Sequence, residues 1–371
     1  MLVIVGRMRA EQILRFRFAR SGLAGRDAET FAEAVACPAS DFARDAALLA
    51  LAARRDGVAR PEFDDAVDRG ADIVVAHILR GAIHALAPDD LALYGRALIA
   101  TDEEDLLAQL GTQVQRLAKD QGFAATDALA KVAKATKAAL SGGRALSKNE
   151  LHDELRDRVG ADLLPWCKGC QSHHVAPMMW RYATVKAGTR LDSERRYLLH
   201  RPGRRPAGGE TVKRFLHFYG PATPGDFADW TGISKPHARR LWERVQDELS
   251  KVTVEKRTGW ALENDVTKLD SPPEADGVRL IPPGDPYLQR PNRWLLAPDT
   301  ELRKRLFRPV ASPGAVFDKG RLAGLWRVKA KRTKLEFTVE KLARIRRHDL
   351  DEEVQRVAAV RGASEVELAV E

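Results

Sequence analysis

Hydrophobic positions recur at helical spacing over residues 9–22, where Ile13, Leu14 and Phe18 share one face and Arg15 and Arg20 lie elsewhere on the cylinder. The same reading gives helices over 26–36, ended by Cys37-Pro38, and over 42–54. In DIVVAHILRGAIHALAPDDL, residues 72–91, the period changes. Two β-rich runs, 73–79 and 82–86, meet around Arg80-Gly81 and predict a hairpin. Helices followed by a hairpin are the makings of a winged helix.

Residues 125–159 read as helical, with Ser147-Lys148-Asn149-Glu150 as a capping box. The stretch 160–206 is mixed, and HRPGRRPAGGE at 200–210 has the composition of a linker. A second helical unit follows. It has a helix over 210–219 broken by Gly220-Pro221, a short helix over 224–231 stopped by Gly232, and a longer one capped by Ser234. VTVEKRTGWAL then reads as strand, turn, strand. From about 275 the pattern is short strands punctuated by Pro and Gly: GVRLIPP, RWLLAP, AVFDKGRLAGLWRVK and KLEFTV. A helix over 340–360 closes the chain. The expected fold class is mainly α (α+β), with tandem winged helix-turn-helix units followed by a small β-rich, barrel-like domain. The expected parts are 1–120, 121–205, 206–270 and 271–371.

Charge sharpens this picture. The chain of 371 residues carries 61 Lys+Arg against 52 Asp+Glu, a net +9. Residues 301–350 hold 15 basic and 5 acidic side chains, so this one segment accounts for the whole excess. A basic band of this kind points to nucleic acid or another anionic surface. Three cysteines cannot build a disulfide framework and fit a reducing, cytoplasmic compartment. No apolar run approaches the roughly 20 residues of a membrane helix, and no signal peptide is read at the start. Walker A, GxSxG and HExxH motifs are all missing, so ATPase, esterase and zinc-protease readings have no motif behind them.

Four stretches, LRGAIHALAPDDL at 79–91, YGPATPGDFADWTGIS at 219–234, RLIPPGDPYLQRPNR at 279–293 and FDKGRLAGLWRVK at 317–329, occur in an order that resembles the AlkZ/YcaQ-like DNA glycosylases. The resemblance implies tandem winged helices, a β-barrel-like domain and action on alkylated or crosslinked DNA. That family carries a Gln-x-Gln or Gln-x-Asp signature after its second helix. Here the place reads Cys37-Pro38-Ala39-Ser40-Asp41-Phe42, with Pro38 and Ser40 where the polar pair should stand.

Releasing a base from its sugar passes through an oxocarbenium-like state, which a carboxamide or carboxylate stabilises while it holds the attacking water. An N7-alkylated guanine is already cationic and needs little acid help to leave. Asp41, assisted by Ser40, is the expected catalytic group; the alternative for Asp41 is an N-cap. Expected DNA contacts are Arg80 and His84 from the family's RGxxH pattern, and Lys235, Arg239 and Arg240 on the helix after Ser234. Arg290, Arg293, Lys329 and Arg332 complete the set as phosphate-neutralising charges. The expected partner is double-stranded DNA, damaged or intact, bound by a monomer without cofactor, in the cytoplasm at the nucleoid. Two other classes stay open: a non-catalytic winged-helix DNA-binding or regulatory protein, and a protein-interaction scaffold.

Trp166-Cys167-Lys168-Gly169-Cys170-Gln171-Ser172-His173-His174 contains CxxC at half-zinc-site spacing. With no second half in the sequence, no metal is expected there.

Overall fold

The computed structural model describes residues 4–43, 45–201, 203, 206 and 208–371, with side chains from Met8 onward. Of the expected linker at 200–210, Pro202, Arg204, Arg205 and Ala207 lie outside the described residues, and its end belongs to the helix Gly208–Tyr219. The fold is mixed α and β, and contacts divide it into two compact units. One comprises the chain up to Phe63, Lys213–Asp226 and Gln246–Glu371; the other comprises Asp64–Val212 and Phe227–Val245. Among the described residues no helix is long and apolar enough to cross a membrane.

The first unit holds two sheets. In the smaller, Ile4–Met8 runs parallel to Leu249–Val254, which pairs antiparallel with Arg257–Leu262. Ile13 and Phe16 of the helix Ala10–Arg20 are buried against this sheet with Val252, Val254 and Ala261. The larger sheet has the order Val278–Ile281, Gly314–Asp318, Arg321–Lys331, Lys334–Lys341, Glu365–Val370. Its first four strands form an antiparallel meander. The fifth returns parallel to Lys334–Lys341 after the helix Arg347–Val360, because parallel neighbours need a crossover connection.

Phe18 joins the N-terminal helix to this sheet, with its ring edge-on to Tyr287 at 5.2 Å and tilted on Phe317 at 5.4 Å. Beside it Arg17 is wholly buried and spends its donors on the carbonyls of Pro221 at 2.7 Å and Pro291 at 3.0 Å and on Asn292 Oδ1 at 2.8 Å. Burial lowers its pKa to about 10, and these acceptors satisfy the charge.

The second unit is a helical body around a short sheet. Val74–His77 and Ile83–Leu86 form the expected hairpin. Val74–His77 also pairs with Thr189–Leu191, which pairs with Tyr197–Leu199. The helix Pro177–Ala187 packs on Ala125–Ala139, and the Ser147–Glu150 capping box opens the helix Lys148–Arg156.

Several expectations are corrected. The helices expected at 26–36 and 42–54 shrink to Phe31–Ala34 and Ala46–Ala52. RWLLAP belongs to a helix, Arg290–Leu296, whose Pro291 sits in the first turn where a missing N–H costs nothing. The helix expected over 235–250 ends at Glu243, and the chain closes on the strand Glu365–Val370 rather than on a helix. The C-terminal sheet has an open order with two distinct edge strands, where a barrel-like closure was expected.

Candidate active-site cleft

The Cys37–Asp41 segment leads into the short helix Ala46–Ala52, which is buried along its whole length. Two carboxylates guard its N-terminus. Asp41 is buried, and its Oδ1 accepts the Ala47 amide at 3.3 Å, so the side chain serves as a cap from six residues upstream. Asp45, the residue before the helix, has φ +66° and pairs with Arg361 at 3.1 Å and with Arg60. Both charges sit where the helix dipole favours them. Pro38 is buried, Ser40 half-buried and Phe42 78% exposed, an unusual position for so large an apolar ring.

A second wall comes from the loop after Val278–Ile281. Gly284 has φ +87°, a conformation that favours glycine, and a Cβ placed there would stand 3.9 Å from Ser40 Oγ. The loop therefore passes close beside the Ser40 hydroxyl. Asp285, next in the chain, is locked to Arg54 at the other end of the helix by two bonds of 2.7 and 2.9 Å.

Between these walls and the strand Arg321–Lys331 lies a cleft of about 380 Å³, lined by Ala46, Leu49, Pro282, Trp326, Arg327 and Lys329 among others. Its floor is apolar and one rim is cationic. Trp326 is anchored by Nε1 donating to the Ile281 carbonyl at 3.0 Å. On the same strand Arg327, Lys329 and Lys331 are all exposed at every second position, which puts them on one face. Lys331 is held by Glu336 at 2.8 Å. Arg332 is exposed at the following turn. Arg290 is exposed, whereas Arg293 lies over the Phe307 ring at 4.6 Å. The nearby Cys37 thiol is inert: burial pushes it up to about 12, and it sits 3.5 Å from the Tyr219 hydroxyl.

The expected DNA contacts of the second unit are placed differently. Arg80, at φ +54° in the hairpin turn, donates to the carbonyls of Trp230 at 3.1 Å and Asp229 at 3.4 Å, at the C-terminus of the helix Pro224–Thr231. That is the cationic capping a helix C-terminus favours. His84 is buried, its Nδ1 is 3.0 Å from the Ala82 carbonyl, and burial lowers its pKa to about 4. The ring is therefore neutral at pH 7 and does not present a phosphate contact in this conformation.

Lys235 and Arg239 are exposed on the helix Lys235–Glu243, as expected. Arg240 instead pairs with Asp105, which also accepts from Ser234 Oγ. The neighbouring groove of about 610 Å³ is lined by Asp102, Glu104 and Asp105 as well as His237 and Arg240, so its field is not simply positive.

Asp41 caps the helix Ala46–Ala52, whose Ala46 and Leu49 line the cleft together with Lys329; Ser40 and Asp41 themselves are not among the lining residues. Lys235, Arg239 and Arg240 lie in the other unit. Arg327, Arg361 and Trp326 were missed in the sequence; the alternation of 327, 329 and 331 was the available signal for the first.

A family model described as DNA glycosylase AlkZ-like matches residues 34–360. An interstrand DNA cross-link repair glycosylase of Streptomyces sahachiroi is 34% identical over 130 residues, which are 33% of this chain and 34% of that protein. The match thus spans about a third of the curated relative. The solved structure of Streptomyces sahachiroi DNA glycosylase AlkZ superposes with a TM-score of 0.75 at 20% identity, covering 99% of this chain and 100% of that one. At that identity the likeness is one of fold.

Proposed function

This chain belongs to the AlkZ-like DNA glycosylase family, and from that premise we propose that it binds double-stranded DNA carrying alkylated or crosslinked bases and hydrolyses the N-glycosidic bond of the damaged base. The observation that carries this reading is the cleft lined by Ala46 and Leu49 with Arg327 and Lys329 at the rim; the Ser40–Asp41 segment leads into the helix that forms one wall, and Asp41 caps its Ala47 amide. An apolar floor with few polar groups suits a flat base taken out of the stack, and rim cations suit the phosphates that flank it.

In this reading Asp41 orients the attacking water with the help of the Ser40 hydroxyl. The carboxylate also offsets the positive charge that grows on the sugar. The cationic N7-alkylpurine leaves without a strong general acid, and no cofactor enters the reaction. Phosphates are held by Lys329, Arg332, Arg290 and Arg293. Residues 206–270 act as a winged helix whose Lys235 and Arg239 add backbone contacts.

A second reading has its own support. Pro38 offers no polar atom, and Asp41 is buried with one oxygen committed to the Ala47 amide. A chain built this way binds the lesion and performs no chemistry on it. Release of free N7-methylguanine from methylated duplex DNA decides between them. Release that is lost in Asp41→Ala supports the glycosylase. Salt-sensitive binding with no release, at protein in excess over DNA, leaves only the lesion binder.

A further inference from the structure

We propose that Cys167, Cys170 and His174 form a zinc site with a water in the fourth position, although the sequence alone predicted no metal there. Trp166–Cys167 and Ser172–His173 pair as a two-stranded hairpin, with Cys167 opposite Ser172. The turn between them, which carries Gln171 at φ +51°, swings Cys170 back toward Cys167. His174 follows directly on the second strand. One ligand atom from each of the three residues lies within 4.8 Å of the others. In a tetrahedral site with Zn–S near 2.3 Å and Zn–N near 2.0 Å, ligand atoms stand about 3.5–3.8 Å apart, so a contraction of about 1 Å completes the geometry.

A second, independent observation points to a ligand. His174 is only 7% exposed, and its Nε2 has no hydrogen-bond partner in the structure. Its Nδ1 is 2.8 Å from the Val175 carbonyl. A proton on Nδ1 donated there leaves Nε2 as a bare lone pair, which is how metal-ligating histidines are oriented. The ring is held from behind by His152 at 4.9 Å, itself 4.7 Å from Trp180. A buried acceptor without a donor costs free energy, and a cation removes that cost. The Cys170 backbone N–H, the His174 side chain and the Gly169 backbone N–H also face the Cys167 sulfur, so the ligand groups already converge on it. Two thiolates and one neutral imidazole select a borderline-soft ion such as Zn²⁺ over Mg²⁺ or Ca²⁺.

Binding releases the two thiol protons to solvent and requires no oxidant. The ion fastens the hairpin that exposes Trp166. The proposal stands on these residues alone and is independent of the catalytic reading above.

The test uses the full chain, expressed with zinc and purified with reductant and without chelator. About one equivalent of zinc is expected. After the zinc is replaced by Co²⁺, a thiolate-to-cobalt charge-transfer band is expected. Cys170→Ser and His174→Ala each lose metal and band, while Cys37→Ser, altered in the other unit, keeps both. Should those variants fail to fold, alkylation of the wild-type chain gives the answer, because zinc protects Cys167 and Cys170 from iodoacetamide. The proposal is overturned by less than about a tenth of an equivalent of zinc together with no cobalt band, by metal retained in both ligand variants, or by thiols that zinc leaves equally reactive.

Discussion

Arg54 closes a buried bidentate ion pair with Asp285. Its Nη1 donates to Oδ2 at 2.7 Å and its Nη2 to Oδ1 at 2.9 Å, with 3% and 0% of the side chains exposed. Two further donors go to the Ser21 carbonyl at 2.6 Å and the Ala50 carbonyl at 2.7 Å. Burial alone would lower the guanidinium pKa, but the Asp285 carboxylate outweighs it and the net shift is upward. The pair ties the far end of Ala46–Ala52 to the loop containing Pro282 and Gly284, and so fixes the width of the cleft.

Breaking one side leaves the other charge buried and unpaired. Arg54→Met or Asp285→Asn is expected to destabilise the chain by about 3–5 kcal/mol. Urea denaturation of each variant measures this. A loss below about 1 kcal/mol would show that the pair does not hold the loop.

Asp41 caps the Ala47 amide, and the proposed reading gives it a second, separable role. Asp41→Asn keeps an oxygen acceptor for the Ala47 amide, so its stability stays within about 0.5 kcal/mol of wild type, while Asp41→Ala loses about 1 kcal/mol. If the carboxylate positions water, both variants lose base release. Base release by Asp41→Asn at the wild-type rate would confine the residue to capping.

In the proposed reading the rim cations act through counterion release. Lys329→Ala and Arg327→Ala should each weaken duplex binding at low salt and flatten the slope of log K against log salt by about 1. Titrations at several salt concentrations test this. An unchanged slope in both would place the DNA elsewhere.

Arg80 predicts the opposite pattern. Its guanidinium caps Trp230 and Asp229. Arg80→Ala should therefore lower the unfolding midpoint, by about 1 kcal/mol in stability, with the salt slope unchanged. A flattened slope with normal stability would restore it as a phosphate contact.

Acid should unfold the second unit early. Burial lowers His84 to about 4 and His77 to about 3, against an ordinary value of 6.5. Above pH 6.5 both rings are neutral folded or unfolded, and pH has no effect through them. Below it the unfolded chain takes up protons that the folded chain refuses. Stability then falls as pH falls, by about 2 kcal/mol per histidine at pH 5. Denaturation at pH 7 and pH 5 measures the drop, and His84→Gln should shrink it. Equal midpoints at the two pH values would sink the argument.

What the sequence made legible follows the range of the interactions. The Ser147–Glu150 box, the 74–86 hairpin and the helix starting after Ser234 are encoded by neighbours within a few residues, and each stands in the structure. Ile4–Met8 and Glu365–Val370 pair parallel with distant or helix-separated strands, so nothing local announces them. RWLLAP looked like a strand because a short apolar run does not reveal its period, and the first-turn proline was the sign passed over. Around the cleft, the Ser40–Asp41 segment was singled out by its place in the family pattern and Lys329 by charge, and of these Lys329 lines the cleft. Arg54–Asp285 was not, since the two positions are 231 residues apart and neither sits in a pattern. Cys167 and Cys170 read as half a site because the turn that brings Cys170 and His174 near Cys167 depends on backbone angles.

The unit that holds the cleft is assembled from three separate stretches of chain. Phe18 rests on Tyr287 and Phe317, and Arg26 pairs with Glu353. The helix Ala10–Arg20 thus packs on residues far later in the chain, Phe16 beside Val252 and Phe18 on Phe317. The other unit is more nearly contiguous, made of Asp64–Val212 and Phe227–Val245. The helix beside Ser40 and Asp41 must wait for Trp326 and Lys329 before it borders a pocket. A chain that stops short of Gly314 therefore leaves Phe18 without Phe317 to rest on and the cleft without the wall that carries Trp326 and Lys329.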